Sequence, residues 1–139
     1  MPTPQDSLSA ALNHWNGRDL EAYLELYDEA ATLYGLGPEP MDKRAVREFY
    51  AVLTTALDHP RLAFDEVLWC GDDACAARFT LTGHHVGTFM GVPPANEPVT
   101  LTGITIMRFR DGRIIERHTT SDMLGLMIQI GAVPTPAPA

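Results

Sequence analysis

The chain has 139 residues and a formal net charge of −8, with 45% hydrophobic and 20% charged residues. This length suits one domain, which buries about two-thirds of its unfolded surface on folding. The acidic balance argues against nucleic acid and anionic membrane surfaces as partners, because Lys and Arg bind phosphate groups. No apolar run approaches the roughly 20 residues that span a bilayer, and no signal-peptide pattern is visible. We therefore expect a cytoplasmic protein.

Helical patterns come first along the chain. The spacing of apolar residues from Leu8 to Trp15 predicts an amphipathic helix. A second helix is expected after Asp19, a suitable N-cap, and a third from near Asp42 to before Pro60. A last, short helix follows Asp122, at 123–130. Together these patterns place most of the helix ahead of the strands.

Strand patterns dominate the second half of the chain. Alternating runs predict strands at about 62–70, 74–85, 98–109 and 113–121, with a short strand at 32–34 before them. Strands joined by tight turns form an antiparallel sheet, and helices followed by strands indicate an α+β fold. We expect one α+β domain at 1–133 and a flexible Pro/Ala tail at 134–139.

Two cysteines flank a predicted turn. Cys70 and Cys75 stand on either side of Gly-Asp-Asp-Ala, so a two-residue turn would make them cross-strand neighbours. That spacing allows a disulfide, but a reducing compartment favours two small buried hydrophobic residues.

The last hairpin carries the candidate site. Asp111-Gly112 is a strong signal for a type I′ turn. Because side chains alternate along a strand, one face of the following strand holds Ile114, Glu116, His118, Thr120 and Asp122. Burying two carboxylates and an imidazole is costly unless they are paired or functional. We therefore predict that this face lines an internal site, with Glu116 opposite Met107.

The opposite face of this hairpin is apolar at its centre. It is expected to carry Ile104, Ile106 and Ile115 between Arg108 and Arg117. Such a surface suits a subunit interface better than bare solvent, so we predict a homodimer through the convex face of the sheet. On the preceding strand, alternation places His85 on the apolar side and His84 on the wetter side, unless a bulge intervenes.

These segments resemble a known family. The resemblance rests on four segments, which are Gly83-His-His-Val-Gly-Thr-Phe-Met-Gly-Val-Pro-Pro94, Arg108-Phe-Arg-Asp-Gly-Arg-Ile-Ile-Glu116, Asp122-Met-Leu-Gly-Leu126 and Gln129-Ile-Gly131. They are similar to the SnoaL-like polyketide cyclases of the nuclear transport factor 2-like superfamily. The resemblance implies a cone-shaped, curved antiparallel sheet wrapped around N-terminal helices, an internal cavity, and dimers or tetramers built from the sheets.

The resemblance also implies a site. In cyclases of this kind an aspartate matching Asp122 is the acid/base and a histidine matching His85 is a pocket residue. The chain departs from the pattern at His118, where Trp is common, and at Ala95-Asn96, which replaces the usual Thr-Gly. Each candidate also has a structural interpretation: Asp122 as an N-cap, and His85 as a core histidine.

The candidate residues suit enolate chemistry. Ring closure or isomerisation needs a base beside a carbonyl and an acid for the new alkoxide or enolate, and a carboxylate in an apolar cavity can act as either. We take Asp122, His85 and His118 as catalytic candidates. Glu116 is better explained by a structural bond to a neighbouring arginine or to a backbone N–H. Candidate substrate-binding residues are Trp15, Tyr27, Tyr34, Phe49, Phe89, Met107 and Glu116.

The predicted function is metal-free acid/base ring closure or isomerisation of a small hydrophobic, polyketide-like substrate, with no cofactor. A non-catalytic small-molecule-binding or accessory protein is the main alternative, since a pocket and one aspartate serve both. A third hypothesis is a metal enzyme, whose ligands would be His85, His118, Glu116 and Asp122. No H-E-x-x-H or comparable spacing in the sequence supports it.

Overall fold

The computed structural model describes residues 2–135, so positions 136–139 of the predicted tail lie outside the described residues. The elements in chain order are α1 (Pro4–Asn16), α2 (Leu20–Leu24), β1 (Tyr27–Tyr34), α3 (Lys43–Ala56), β2 (Leu57–Cys70), β3 (Ala74–His85), β4 (Pro98–Arg110), β5 (Arg113–Ser121) and α4 (Met123–Gln129). Within the described residues, none of these helices is long and apolar enough to cross a membrane.

Capping residues mark where the helices begin. Thr3 and Asp6 form a capping box at the start of α1, and Asp42 accepts a hydrogen bond from Ala45 N at 2.8 Å at the start of α3. The second helix is shorter than expected, because the chain enters β1 at Tyr27. The predicted helices are therefore present, and β1 extends the strand expected at 32–34.

The strands form one curved, open sheet in the order β1-β5-β4-β3-β2. Neighbouring strands from β2 to β5 are antiparallel, and β1 pairs with β5 in parallel at one edge. The α+β fold class is confirmed, with the difference that the sheet is mixed. One face of the sheet packs against α1, α2 and α3, where Trp15 makes edge-to-face contacts with Tyr23 and Tyr50 at 5.0 and 5.2 Å.

A bulge changes which face of β5 is buried. The two-residue turn is present, since Arg110 pairs with Arg113, but Phe109 then pairs with Ile114 and Arg108 pairs with Glu116. Ile115 is therefore an extra residue on the bulged strand, and every later side chain changes face.

The predicted faces of β5 are accordingly wrong beyond Ile114. Arg117 opposes Met107 and Thr119 opposes Thr105, so these two side chains face the helices. His118 opposes Ile106 on the outer face instead, together with Glu116 and Thr120. Alternation along β3 is regular, and the prediction that His85 is buried and His84 exposed is confirmed.

The cysteine pairing predicted from the sequence is also wrong. Cys70 pairs with Ala74 and Cys75 pairs with Trp69, because three residues rather than two form the turn. Cys70 is exposed and Cys75 is buried, on opposite faces of the hairpin, and both are free thiols.

Candidate functional site

A cavity of about 310 Å³ lies between the inner face of the sheet and the helices. Trp15, Phe49 and Phe89, three of the predicted substrate-binding residues, line it. Its other lining residues are Tyr23, Gly35, Leu36, Gly37, Tyr50, Leu53, Leu62, Phe79, Leu81, Met90, Leu101, Arg117, Thr119, Ser121 and Met123. Gly35, Gly37 and Met90 are exposed, so the two loops that carry them form the mouth.

Phe79 forms part of the wall because Gly103 leaves room for its ring. A Cβ atom at Gly103 would lie 2.5 Å from Phe79 Cζ and 2.7 Å from the Thr120 carbonyl oxygen. The missing side chain thus lets an aromatic ring lie flat across the neighbouring strand.

Among the described residues, Arg117 is the one basic side chain that lines the cavity. It is 5% exposed. Its Nε donates to Thr105 Oγ1 at 2.8 Å, and its Nη1 donates to the hydroxyls of Tyr27 at 2.6 Å and Tyr23 at 3.3 Å. Its Nη2 makes no hydrogen bond within residues 2–135, and this atom is not completely buried. Nη2 therefore faces the open volume of the cavity.

The partners of Arg117 are neutral. Burial raises the pKa of the Tyr27 hydroxyl well above its ordinary value, although the Arg117 charge opposes that rise. Burial raises the pKa of Tyr50 as well. The phenols therefore keep their protons at neutral pH, while a guanidinium is always charged. None of the ion pairs within the described residues includes Arg117.

A second hydroxyl lies beside the guanidinium at the cavity. The Tyr23 and Tyr27 hydroxyl oxygens are 2.9 Å apart, and either can donate to the other. Tyr23 lines the cavity and Tyr27 does not, so a hydrogen bond from Tyr27 to Tyr23 leaves the Tyr23 hydroxyl able to donate to a ligand.

A threonine holds the other side of Arg117. The Thr105 hydroxyl accepts from Arg117 and is within reach of the His118 carbonyl oxygen at 3.1 Å, to which it can donate. The Thr119 hydroxyl lies 3.0 Å from that of Thr105, and either can be the donor. Thr119 also lines the cavity.

Asp122 lies at the rim of the cavity and is exposed. Its carboxylate caps α4 by accepting from Gly125 N at 2.9 Å. The residues on either side of it, Ser121 and Met123, line the cavity. The backbone thus brings Asp122 to the site, while the hydrogen bond directs its side chain to the helix terminus.

His85 lies behind the cavity wall and is fully buried. Its Nδ1 accepts from Ala95 N at 2.9 Å, so the neutral ring carries its proton on Nε2. That Nε2 has no hydrogen-bond partner among the described residues. The backbone of His85 also bonds to Asn96 and Glu97. This histidine therefore joins β3 to the segment that returns from the cavity mouth.

The remaining candidates lie away from the cavity lining. The His118 ring is half exposed on the outer face and stacks on Tyr34, with centroids 4.5 Å apart. Glu116 forms an ion pair with Arg108 at 3.3 Å. Tyr27 and Met107 are buried without lining the cavity, but Tyr27 contributes by holding Arg117.

Sequence reasoning missed Arg117, Tyr23 and Thr119 as site residues. Thr119 and Arg117 alternate with residues that were assigned to the interior, so the bulge alone hides them. Within residues 2–135, His, Cys, Asp and Glu side chains form no group of three suited to a metal ion.

Comparison with solved structures identifies the class of fold. AclR from Streptomyces galilaeus, a candidate hydroxylase, is 22% identical with a TM-score of 0.86, over 96% of this chain and 84% of that chain. A ketosteroid isomerase-like protein from Catenulispora acidiphila, in complex with trimethylamine, is 18% identical with a TM-score of 0.75, over 99% and 100%. The protein therefore has the nuclear transport factor 2/ketosteroid isomerase-like fold.

The sequence identifies the family within that fold. The profile of the SnoaL-like polyketide cyclases matches residues 5–130, so the chain belongs to this family. IdmH from Streptomyces antibioticus, a candidate polyketide cyclase, is 29% identical with a TM-score of 0.78, over 92% of this chain and 98% of that chain. No curated protein matches the chain in sequence. The family places this protein among cyclase- and isomerase-type proteins.

Proposed function

We propose that the protein is a small-molecule enzyme that stabilises the enolate of an apolar carbonyl compound and directs it to metal-free ring closure or isomerisation. The observation that carries the proposal is the buried guanidinium of Arg117, whose Nη2 faces a largely apolar cavity beside the Tyr23 hydroxyl. Donors already in place where negative charge develops are the largest single source of rate enhancement in such reactions.

In the proposed reaction, a base removes a proton from the carbon next to a carbonyl, and the C–H electron pair moves to form the enolate. Arg117 and Tyr23 hold the enolate oxygen. In ring closure the enolate carbon attacks a second carbonyl, forming a C–C bond, and the new alkoxide takes a proton. Asp122 is the proposed acid/base, because it is the carboxylate between two lining residues. Its side chain would have to leave the α4 cap to act.

A non-catalytic binding protein is the second candidate function. The observation in its favour is that no carboxylate or imidazole is among the lining residues within the described chain. A cavity with hydrogen-bond donors and no base binds a ligand without transforming it. The two functions therefore differ in one testable respect: the enzyme transfers protons to and from its ligand, and the binding protein does not.

Proton exchange separates these functions without knowledge of the natural substrate. 2-Tetralone is a bicyclic ketone with an acidic C–H, and NMR in D₂O follows its exchange. We expect the protein to accelerate exchange, and Arg117→Met to reduce that acceleration by about 100-fold or more, the usual effect of one oxyanion donor. Arg78→Met, which alters an outer-face ion pair with Glu66, is the matched control. Binding of 2-tetralone without accelerated exchange would favour the binding protein.

A further inference from the structure

Residues 2–135 supply no counter-charge to Arg117. Arg117 as a residue is 5% exposed, and its guanidinium donates to three neutral hydroxyls. A buried charge without a counter-charge is unfavourable compared with the same charge in water. Within the described residues, neither the cavity lining nor any ion pair supplies that counter-charge. A ligand is the natural source of it.

The donors beside the cavity indicate which kind of anion the site fits. Arg117 and Tyr23 both line the cavity, and the Tyr23 hydroxyl oxygen lies 3.3 Å from Nη1 of the guanidinium. Two donors on one side of a planar cation match an anion whose charge is shared by two oxygens. The rest of the wall is largely apolar, with Phe49, Leu53, Leu62, Phe79, Leu81 and Leu101.

We propose that this cavity binds an apolar organic monoanion with its charge shared by two oxygen atoms, held by Arg117 Nη2 and the Tyr23 hydroxyl. A carboxylate and the enolate of a 1,3-dicarbonyl compound both have this chemistry. The inference names the substrate class of the site proposed above and rests on that proposal. A volume of about 310 Å³ lies at the small end of the roughly 300–1,000 Å³ that ligand pockets occupy, which suits one or two fused rings.

Isothermal titration calorimetry of the wild-type protein tests the charge requirement directly. 2-Naphthoate and 2-naphthamide have the same rings and differ in charge. At neutral pH we expect the acid to bind about 100-fold more tightly than the amide, since charge-assisted hydrogen bonds replace neutral ones. Dimedone and its methyl enol ether form the matching pair for the enolate. A preference in one pair alone identifies that source of the anion, and equal binding within both pairs contradicts the inference.

Three variants test whether Arg117 causes the preference for 2-naphthoate over 2-naphthamide. Arg117→Met should reduce the acid-to-amide ratio to about threefold or less, and Arg117→Lys should keep part of it because the charge remains. Arg78→Met, on the outer face, should keep the whole ratio. If Arg117→Met does not fold, the wild-type and Arg117→Lys ratios still decide. An unchanged ratio in either Arg117 variant contradicts the inference.

The outcome is separate from that of the enzymatic proposal. A preference for the acid without exchange of 2-tetralone protons supports the anion site and contradicts catalysis. Accelerated exchange with equal affinity for 2-naphthoate and 2-naphthamide supports catalysis and contradicts the anion site.

Discussion

Arg117 is held by neighbours that belong to three different elements. Tyr23 lies in α2, Tyr27 in β1 and Thr105 in β4. Because each of them accepts a hydrogen bond from the guanidinium, its orientation is fixed before any ligand binds. Preorganised donors of this kind need no rearrangement when charge develops.

At the residue scale, Asp122→Asn tests whether the rim aspartate transfers protons. Asparagine caps helices about as well as aspartate, so we expect little change in melting temperature. Turnover should fall by about 100-fold or more, the usual contribution of a positioned acid/base. Differential scanning fluorimetry and the 2-tetralone exchange rate measure the two effects. A folded variant with wild-type exchange would leave Asp122 as a helix cap alone.

His118, which lies on β5, provides the contrasting case. Its ring stacks on Tyr34 outside the cavity, so His118→Ala should keep the exchange rate within about threefold of wild type, as do most surface changes far from the reacting atoms. A fall comparable to that of Asp122→Asn would show that the imidazole reaches the substrate and would contradict the placement of β5.

At the scale of elements, most of the fold follows from the sequence. Capping residues such as Asp42, the Asp111-Gly112 turn and the alternation of β3 each predict their elements within a few residues. These signals are local, so a single sequence reveals them. The parallel pairing of β1 with β5 is a long-range contact, and no pattern within either strand marks it.

The candidate site was predicted less well than the fold, because the position of one extra residue in β5 could not be predicted. Ile114 and Ile115 are both apolar, so either could face the core, and nothing local shows that Ile115 is the extra residue of a bulge. A one-residue shift exchanges the two faces of a strand. The site was therefore predicted at the correct strand, with Glu116 and His118 in place of Arg117 and Thr119.

Gly103→Ala tests how β4 shapes the cavity. The added methyl group would overlap the Phe79 ring and the Thr120 carbonyl, so we expect a loss of about 1–3 kcal/mol in the free energy of unfolding. Urea denaturation measures this loss. Thr102→Ala, at the adjacent exposed position, should change the free energy by less than about 0.5 kcal/mol. Equal effects of the two substitutions would contradict the packing described here.

At the scale of the whole molecule, the outer face of the sheet remains apolar in the structure. Leu68, Ile104 and Ile106 are 60%, 56% and 45% exposed. The ion pairs Arg78–Glu66 and Arg108–Glu116 lie on the same face. We propose that this face forms the interface of a homodimer, since a two-fold axis brings the same patch of two copies together.

Sedimentation equilibrium tests the proposed dimer. The wild-type protein should sediment as a dimer and Ile104→Glu as a monomer, because the interface of each dimer would then bury two additional carboxylates. Val52→Glu changes an exposed apolar residue of α3 and should remain dimeric. A monomeric wild-type protein would contradict the interface.

The central claim is that Arg117, and not the outer face of β5, is the anchor for the ligand. A crystal structure with 2-naphthoate tests it most directly. We expect one carboxylate oxygen within hydrogen-bond distance of Arg117 Nη2, the other at the Tyr23 hydroxyl, and the rings against Phe79 and Leu101. A ligand bound beside His118, or one in the cavity whose carboxylate points through the mouth toward Met90, would contradict the claim.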